Sequence, residues 1–229
     1  MSTIPESDVN RPLFAAALAL LSSAPFAQTT KSQPAKAPAP AQQTAAAPAA
    51  VPSAALQRAQ EIVNSRCALC HGAEGESASP IFPRLAGQHP EYIAKQLADF
   101  KSGRRKGTMN DQAAELTEEE MKALGTFFAD KKPKSYAIRE EDLGAVGRYI
   151  YHKGNPYSGV ASCASCHGPK GDGTVQLPRL ASQHAAYIES QLKEFNKRER
   201  TNDNSVMHAI ASKLTELETK AVSLYISGL

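Results

Sequence analysis

The sequence predicts an all-α protein built from two tandem helical domains related by internal duplication, and three observations carry that reading. Apolar residues fall at helical spacing, as in Tyr92, Ile93, Leu97 and Phe100. No segment alternates apolar and polar residues as a strand does, and the stretches between helices hold Gly and Pro as loops do. Finally, the second half repeats the first. Pro83-Arg84-Leu85-Ala86-Gly87-Gln88-His89 lines up with Pro178-Arg179-Leu180-Ala181-Ser182-Gln183-His184, and Tyr92-Ile93-x-x-Gln96-Leu97-x-x-Phe100 with Tyr187-Ile188-x-x-Gln191-Leu192-x-x-Phe195.

Taken in chain order, residues 13–27 form an apolar run that follows Arg11 and ends in small residues. This predicts a secretory signal over residues 1–27, cleaved after Ala24 or Ala27. Glu6 and Asp8 weaken its charged start, so an uncleaved anchor is the alternative, although the run is shorter than the roughly 20 residues that span a bilayer. Residues 28–54 are rich in Ala, Pro, Gln, Ser and Thr, which cannot bury a core and read as a disordered tether. A first domain follows over 55–134, a linker over 135–142 and a second domain over 143–229. Helices are expected over 55–65 and 143–151, over 90–101 and 185–196, and over 117–131 and 215–228. Thr117 with Glu120 makes a capping-box start to the fifth of these.

The four cysteines of the chain all lie in two pentapeptides, Cys67-Ala68-Leu69-Cys70-His71 and Cys163-Ala164-Ser165-Cys166-His167. Cys-x-x-Cys-His is the attachment pattern of a c-type haem: both thiols face one porphyrin edge as thioethers, and the histidine ligates iron. Zinc ribbons space their cysteine pairs about 15–20 residues apart, whereas 92 residues separate Cys70 from Cys163. Two disulfides are the remaining reading for an exported chain. Two covalently attached haems c are therefore expected, with His71 and His167 on iron.

The repeat also filters candidates for the opposite axial position. Met109 precedes Leu116-Thr117 by the same seven residues as Met207 precedes Leu214-Thr215. Both lie in polar, loop-like stretches where a thioether gains little from packing, so both are candidate ligands; a haem-face packing role is the alternative. Met121 aligns with Thr219 and reads as core. His208 competes with Met207, but Asn110 takes its place in the first copy. His89 and His184 read as helix-start or haem-periphery residues, and His152 as a solvated one.

Together the two Cys-x-x-Cys-His motifs, the twin Pro-Arg-Leu-Ala segments and the paired methionines resemble the dihaem cytochrome c4 family over residues 55–229, with each half similar to a class I cytochrome c. The resemblance implies that Pro83 and Pro178 offer backbone carbonyls to the other ring nitrogen of the ligating histidines, orienting them. It implies that Arg84 and Arg179 neutralise haem propionates, with solvent-facing loop charges as the competing reading. It also implies helix crossings that pack Ala59 against Phe127 and Gly147 against Tyr225. Ser182, where the first copy has Gly87, is a departure that could alter the local turn.

The function this implies is a periplasmic single-electron carrier between a quinol-oxidising complex and a terminal oxidase, and not an enzyme. Two alternatives stand beside it: a dihaem peroxidase-like enzyme, which needs an open iron position, and a tethered electron-input subunit of a specific oxidoreductase. The net charge of +3 fits an acidic redox partner or simply a solvated basic surface. No basic-aromatic pattern indicates nucleic acid. A monomer is expected, and the N-terminal segment leaves peripheral membrane association open.

Overall fold

The computed structural model describes residues 51–138 and 141–229. The expected leader, most of the tether and residues 139–140 of the expected linker lie outside the described residues. In the first half, α1 (Ser53–Ile62) runs through a π-helical turn (Val63–Cys67) into α2 (Ala68–His71). Then come α3 (Pro90–Lys101), α4 (Met109–Ala113) and α5 (Glu118–Ala129). The second half comprises α6 (Glu141–Lys153), α7 (Ala164–His167), α8 (Ala185–Asn196), α9 (Val206–Ala211) and α10 (Glu216–Ser227). The only bridge of strand type among the described residues is Asn155–Val160.

Local chemistry sets these boundaries. Pro90 opens α3 at a position whose N–H would be unpaired in any case. Thr117 caps α5 and Thr215 caps α10; each hydroxyl accepts from the backbone of a glutamate three residues on, and that glutamate's carboxylate accepts from the threonine N–H. The expected loops around Met109 and Met207 are corrected. Each methionine begins or nearly begins a short helix, α4 or α9, which aims its side chain more firmly than a loop would.

Each half has its own apolar core. In the first, Ala59, Ile62, Val63, Ile93, Leu116, Met121, Leu124 and Phe128 pack together, with Phe127 against them. The second centres on Ile150, Tyr151, Ile188, Val222 and Ile226, with Tyr225 at its edge. Helix α6 crosses α10 at Gly147, where a Cβ would stand 2.0 Å from the Ala221 carbonyl oxygen and 2.9 Å from the Tyr225 Cβ. His152, expected in solvent, is instead half-buried beside this crossing, with Nε2 2.9 Å from the Tyr225 hydroxyl. The two halves also differ at the approach to the cysteines. α1 reaches Cys67 without a break, whereas α6 ends at Lys153 and a loop intervenes, held where the Ser162 hydroxyl bonds the carbonyls of Tyr151 and His152.

The seam between the halves is built reciprocally. The Gln88 amide accepts from Arg179 N–H at 2.8 Å and donates to Arg179 C=O at 2.9 Å; the Gln183 amide does the same with Arg84, both at 2.9 Å. His89 and His184 hold the N-cap positions of α3 and α8 and also cross the seam. His89 donates to Asp172 C=O at 2.7 Å and His184 to Ser77 C=O at 3.0 Å. Ser182 adopts the same left-handed backbone as Gly87, φ 60° beside φ 67°, and its N–H bonds Ile226 C=O as Gly87 N–H bonds Phe128 C=O. The turn is thus unaltered, and the added hydroxyl donates to Leu229 C=O. Part of the expected linker is packed: Tyr136 lies under the Arg84 guanidinium, and Ile138 lies against Gly144 and Gly228.

Gly147→Ala should lower the stability of the holoprotein by about 1–3 kcal/mol through overpacking at the helix crossing, read as the urea midpoint; an unchanged midpoint would mean that the helices separate freely there. A pH effect follows from the seam. Burial, reinforced by the Arg84 guanidinium, pushes the His184 pKa down. The unfolded chain then takes up a proton, near pH of about 6.5, that the folded chain resists, so stability falls as pH drops below that value. Urea midpoints should decline more steeply between about pH 7 and pH 5 in the native chain than in His184→Gln.

Candidate haem sites

Each candidate site starts from a helix that ends on its histidine. The π-helical turn before Cys67 offsets the chain without interrupting it, so Cys67 packs on the first core while His71 is buried one turn further on. His71 Nδ1 lies 2.9 Å from Pro83 C=O, and His167 Nδ1 lies 3.0 Å from Pro178 C=O. A carbonyl only accepts, so Nδ1 carries the proton in both rings and Nε2 keeps its lone pair for a metal. Burial pushes both imidazole pKa values down, opposed by those same carbonyls, which keeps the rings neutral and competent as ligands. Phe82 meets the His71 ring edge-on at 6.1 Å.

The cysteines fit covalent attachment and not the other readings. None of the four is in a disulfide. Cys67 packs on the core of the first half and Cys163 on that of the second, so a four-cysteine zinc site is not assembled. Burial pushes the Cys67 thiol up and the Cys163 thiol up to about 11. These are protonated thiols, placed four residues ahead of a buried histidine that has one nitrogen committed and one free.

Met109 and Met207 are both half-buried at the starts of α4 and α9. Met121 is buried in the first core, as its alignment with Thr219 predicts. His208, the competitor of Met207, has both ring nitrogens engaged: Nδ1 lies 3.0 Å from Phe195 C=O, and Nε2 accepts from Arg198 at 3.1 Å. That leaves it no lone pair for a metal.

Arg84 and Arg179 are mostly buried, so the solvent-facing reading is corrected. Arg84 donates from Nη1 to Ser182 C=O and pairs with Glu76, while Arg179 donates to Asp172 at 2.8 Å. The Nε of each is buried; that of Arg179 makes no hydrogen bond among the described residues, and that of Arg84 lies against Glu76 Oε2. A buried N–H without an acceptor is costly, so Arg179 Nε fits an anionic group such as a haem propionate beside it, while Arg84 Nε already faces the Glu76 carboxylate at 3.3 Å.

A second group of residues was not singled out by sequence reasoning. Arg105 donates to Gln96 of its own half at 2.8 Å, and to Tyr187 and Gln191 of the other half at 2.9 and 2.7 Å. Arg200 mirrors it, donating to Gln191 at 2.6 Å, Tyr92 at 2.9 Å and Gln96 at 3.2 Å. Both guanidiniums are buried, at 8% and 7% exposure, and lie over Phe100 and Phe195. Helices α3 and α8 thus bury two faces, an apolar one inward and a polar one against the other half. The signal was present, because Tyr92, Gln96, Tyr187 and Gln191 all belong to the repeat; their polarity concealed a buried role.

Two family profiles match the chain: "Cytochrome C oxidase, cbb3-type, subunit III" over residues 54–128 and "Cytochrome c" over residues 151–229. Cytochrome c4 of Thiocapsa roseopersicina is 41% identical over 177 residues, covering 76% of this chain and 92% of that protein. A thiosulfate dehydrogenase electron acceptor of Stutzerimonas stutzeri is 39% identical, covering 71% of this chain and 78% of its own length. The crystal structure of reduced recombinant cytochrome c4 from Pseudomonas stutzeri superposes with a TM-score of 0.72 at 33% identity, over 76% of this chain and 98% of that one. With the helical duplication and two equivalent histidine sites, these similarities lead to one conclusion: the chain belongs to the cytochrome c4 family of dihaem electron-transfer proteins, which are carriers and not enzymes, and it binds two haems c covalently.

Proposed function

We propose that this carrier works in the periplasm, moving single electrons from a quinol-oxidising complex to a terminal oxidase. In that reading Cys67, Cys70 and His71 hold one haem and Cys163, Cys166 and His167 the other, with Met109 and Met207 as the opposite axial ligands. The observation that carries it is the paired arrangement of a neutral, buried histidine, oriented by a proline carbonyl with its other nitrogen free, and a methionine at the start of a short helix, present once in each half. When bound, the haem supplies a reversible one-electron couple, and a thioether ligand raises its potential.

The protein's own residues hold, orient and exclude. Pro83 and Pro178 keep each ring in one tautomer. Both histidines are buried, and Arg179 would offer a buried, unpaired N–H to a propionate, with Arg84 beside Glu76 at the equivalent place. A histidine and a methionine held to each iron would leave no place for peroxide, which would separate this arrangement from a dihaem peroxidase. Among the described residues no helix is long and apolar enough to cross a membrane, so permanent anchoring would fall to the N-terminal segment. The domain limits that suit this reading are 55–134 and 143–229, joined by 135–142.

One observation favours a second reading: the 39% identity to a thiosulfate dehydrogenase electron acceptor fits a carrier dedicated to one dehydrogenase. Stopped-flow mixing separates the two. The ferric protein should be reduced by quinol with membranes of the source cell, and the reduced protein oxidised by the terminal oxidase. Fast reduction by a thiosulfate dehydrogenase with no response to quinol would favour the dedicated acceptor.

The ligands are tested individually. Met109→Ala and Met207→Ala should each abolish the near-infrared methionine-to-ferric charge-transfer band of one haem and lower that haem's potential, with both haems still attached. An unchanged spectrum for either variant removes that methionine from the ligand set.

A further inference from the structure

Both halves close their methionine segments locally, but the second has an added contact that the first lacks. In the first half Asn110, next to Met109, does so locally: its amide donates to Phe100 C=O at 2.6 Å and Arg105 C=O at 2.9 Å and accepts from Gly107 N–H at 2.7 Å. All of these partners belong to the first half. In the second half His208 takes the equivalent place and likewise bonds within its own half, donating to Phe195 C=O at 3.0 Å and accepting from Arg198 at 3.1 Å, but a three-residue insertion precedes Met207.

That insertion reaches across the seam. Asn202 donates from Nδ2 to Asp99 at 2.7 Å and to Gln96 at 3.0 Å, both on α3 of the first half, and its carbonyl accepts from Lys95 Nζ at 2.7 Å. Its Oδ1 accepts from Arg200 Nε at 3.1 Å, so every polar atom of the side chain is used. Asp99 is 1% exposed and holds Lys95 and Arg104 as well as Asn202, so the receiving surface is rigid. One residue further on, Asp203 accepts from Ser205 N–H at 3.1 Å and from Met207 N–H at 2.6 Å, which ties the anchored loop to the methionine itself. Asn204 and Ser205 between them adopt left-handed backbone, φ 57° and 64°, a conformation that a free loop of non-glycine residues would tend to leave.

We infer that the 201–205 loop is a clasp through which the first half positions the axial methionine of the second: Lys95, Gln96 and Asp99 hold Asn202, and Asp203 transmits that hold to Met207. The inference rests on Met207 being an iron ligand. Its consequence is an asymmetry between duplicated sites. The segment of Met109 is tied directly only to its own half, whereas that of Met207 is also tied directly to α3 of the other, so strain on the Asn202 contact tunes the second haem selectively. Asn202 and Lys95 are positioning residues and do not touch the haem.

The experiment uses the full holoprotein and two readouts: the upfield methyl resonance of each iron-bound methionine in the reduced state, and titration of the ferric state with imidazole, which competes with methionine for iron. Met109→Ala and Met207→Ala assign each signal to its haem. In Asn202→Ala and in Lys95→Met, the Met207 resonance should shift or broaden. The imidazole concentration that half-saturates the second haem should fall about five-fold, the scale of one lost hydrogen bond, with Met109 and the first haem unchanged. Lys95→Arg should restore the native values. In Asn110→Ala the pattern should reverse, with only the first haem affected. Equal effects on both haems, or none on the second, overturn the clasp. Should Met207→Ala leave both methyl resonances in place, the ligand assignment fails and the clasp falls with it; loss of one resonance in that variant together with silent Asn202 and Lys95 variants refutes the clasp alone.

Discussion

The hydrogen bond from a buried histidine ring to a proline carbonyl joins three requirements that must be met together. It sets the tautomer of the ring, it satisfies a buried N–H, and it fastens the loop after the cysteine motif onto the helix before it. Because Pro83 and Pro178 begin the segments that continue into Gln88 and Gln183, the same loops that orient the histidines also supply the seam between halves. The loops that hold the two histidine rings are therefore also the loops that join the halves.

That linkage explains why so much of the interface is polar. An apolar seam would hold the halves together but would permit sliding. Glutamine amides paired to the backbone on both of their atoms, and guanidiniums that fork between α3 and α8, fix both spacing and rotation. The cost is the burial of Arg105 and Arg200 among neutral partners. It is offset in part by hydrogen bonds to two tyrosine hydroxyls and by the faces of Phe100 and Phe195. For an electron carrier a constant separation between two haems matters, since transfer between them depends on distance and orientation.

Duplication and divergence meet in the same seam. The capping boxes of α5 and α10 repeat atom for atom, and Ser182 keeps the left-handed turn of Gly87. The methionine segments repeat in part: Asn110 and His208 each bond the carbonyl of the equivalent phenylalanine in their own half, but only the second segment also carries an insertion that reaches α3 of the other. A short insertion in one copy is enough to give two sites of common descent different mechanical dependence.

Much of this protein was legible in the sequence because its determinants are local. Two Cys-x-x-Cys-His motifs, α3 and α8 to the residue, a capping box at Thr117 and two aligned methionines all follow from spacing within a few turns of chain. What failed was whatever depends on a distant partner. His152 reads as solvated until α10 supplies Tyr225, and for Arg84 a loop charge competes with a propionate partner until the other half covers it. Arg105, Arg200 and Asn202 look like ordinary surface polarity because nothing nearby in sequence shows that a second helix buries them. The chain by itself determined that there are two helical halves, each with a histidine and a methionine in register. Only the tertiary structure decided how they lock together and which methionine is held by its neighbour, since a buried polar contact is defined by the group that meets it across space.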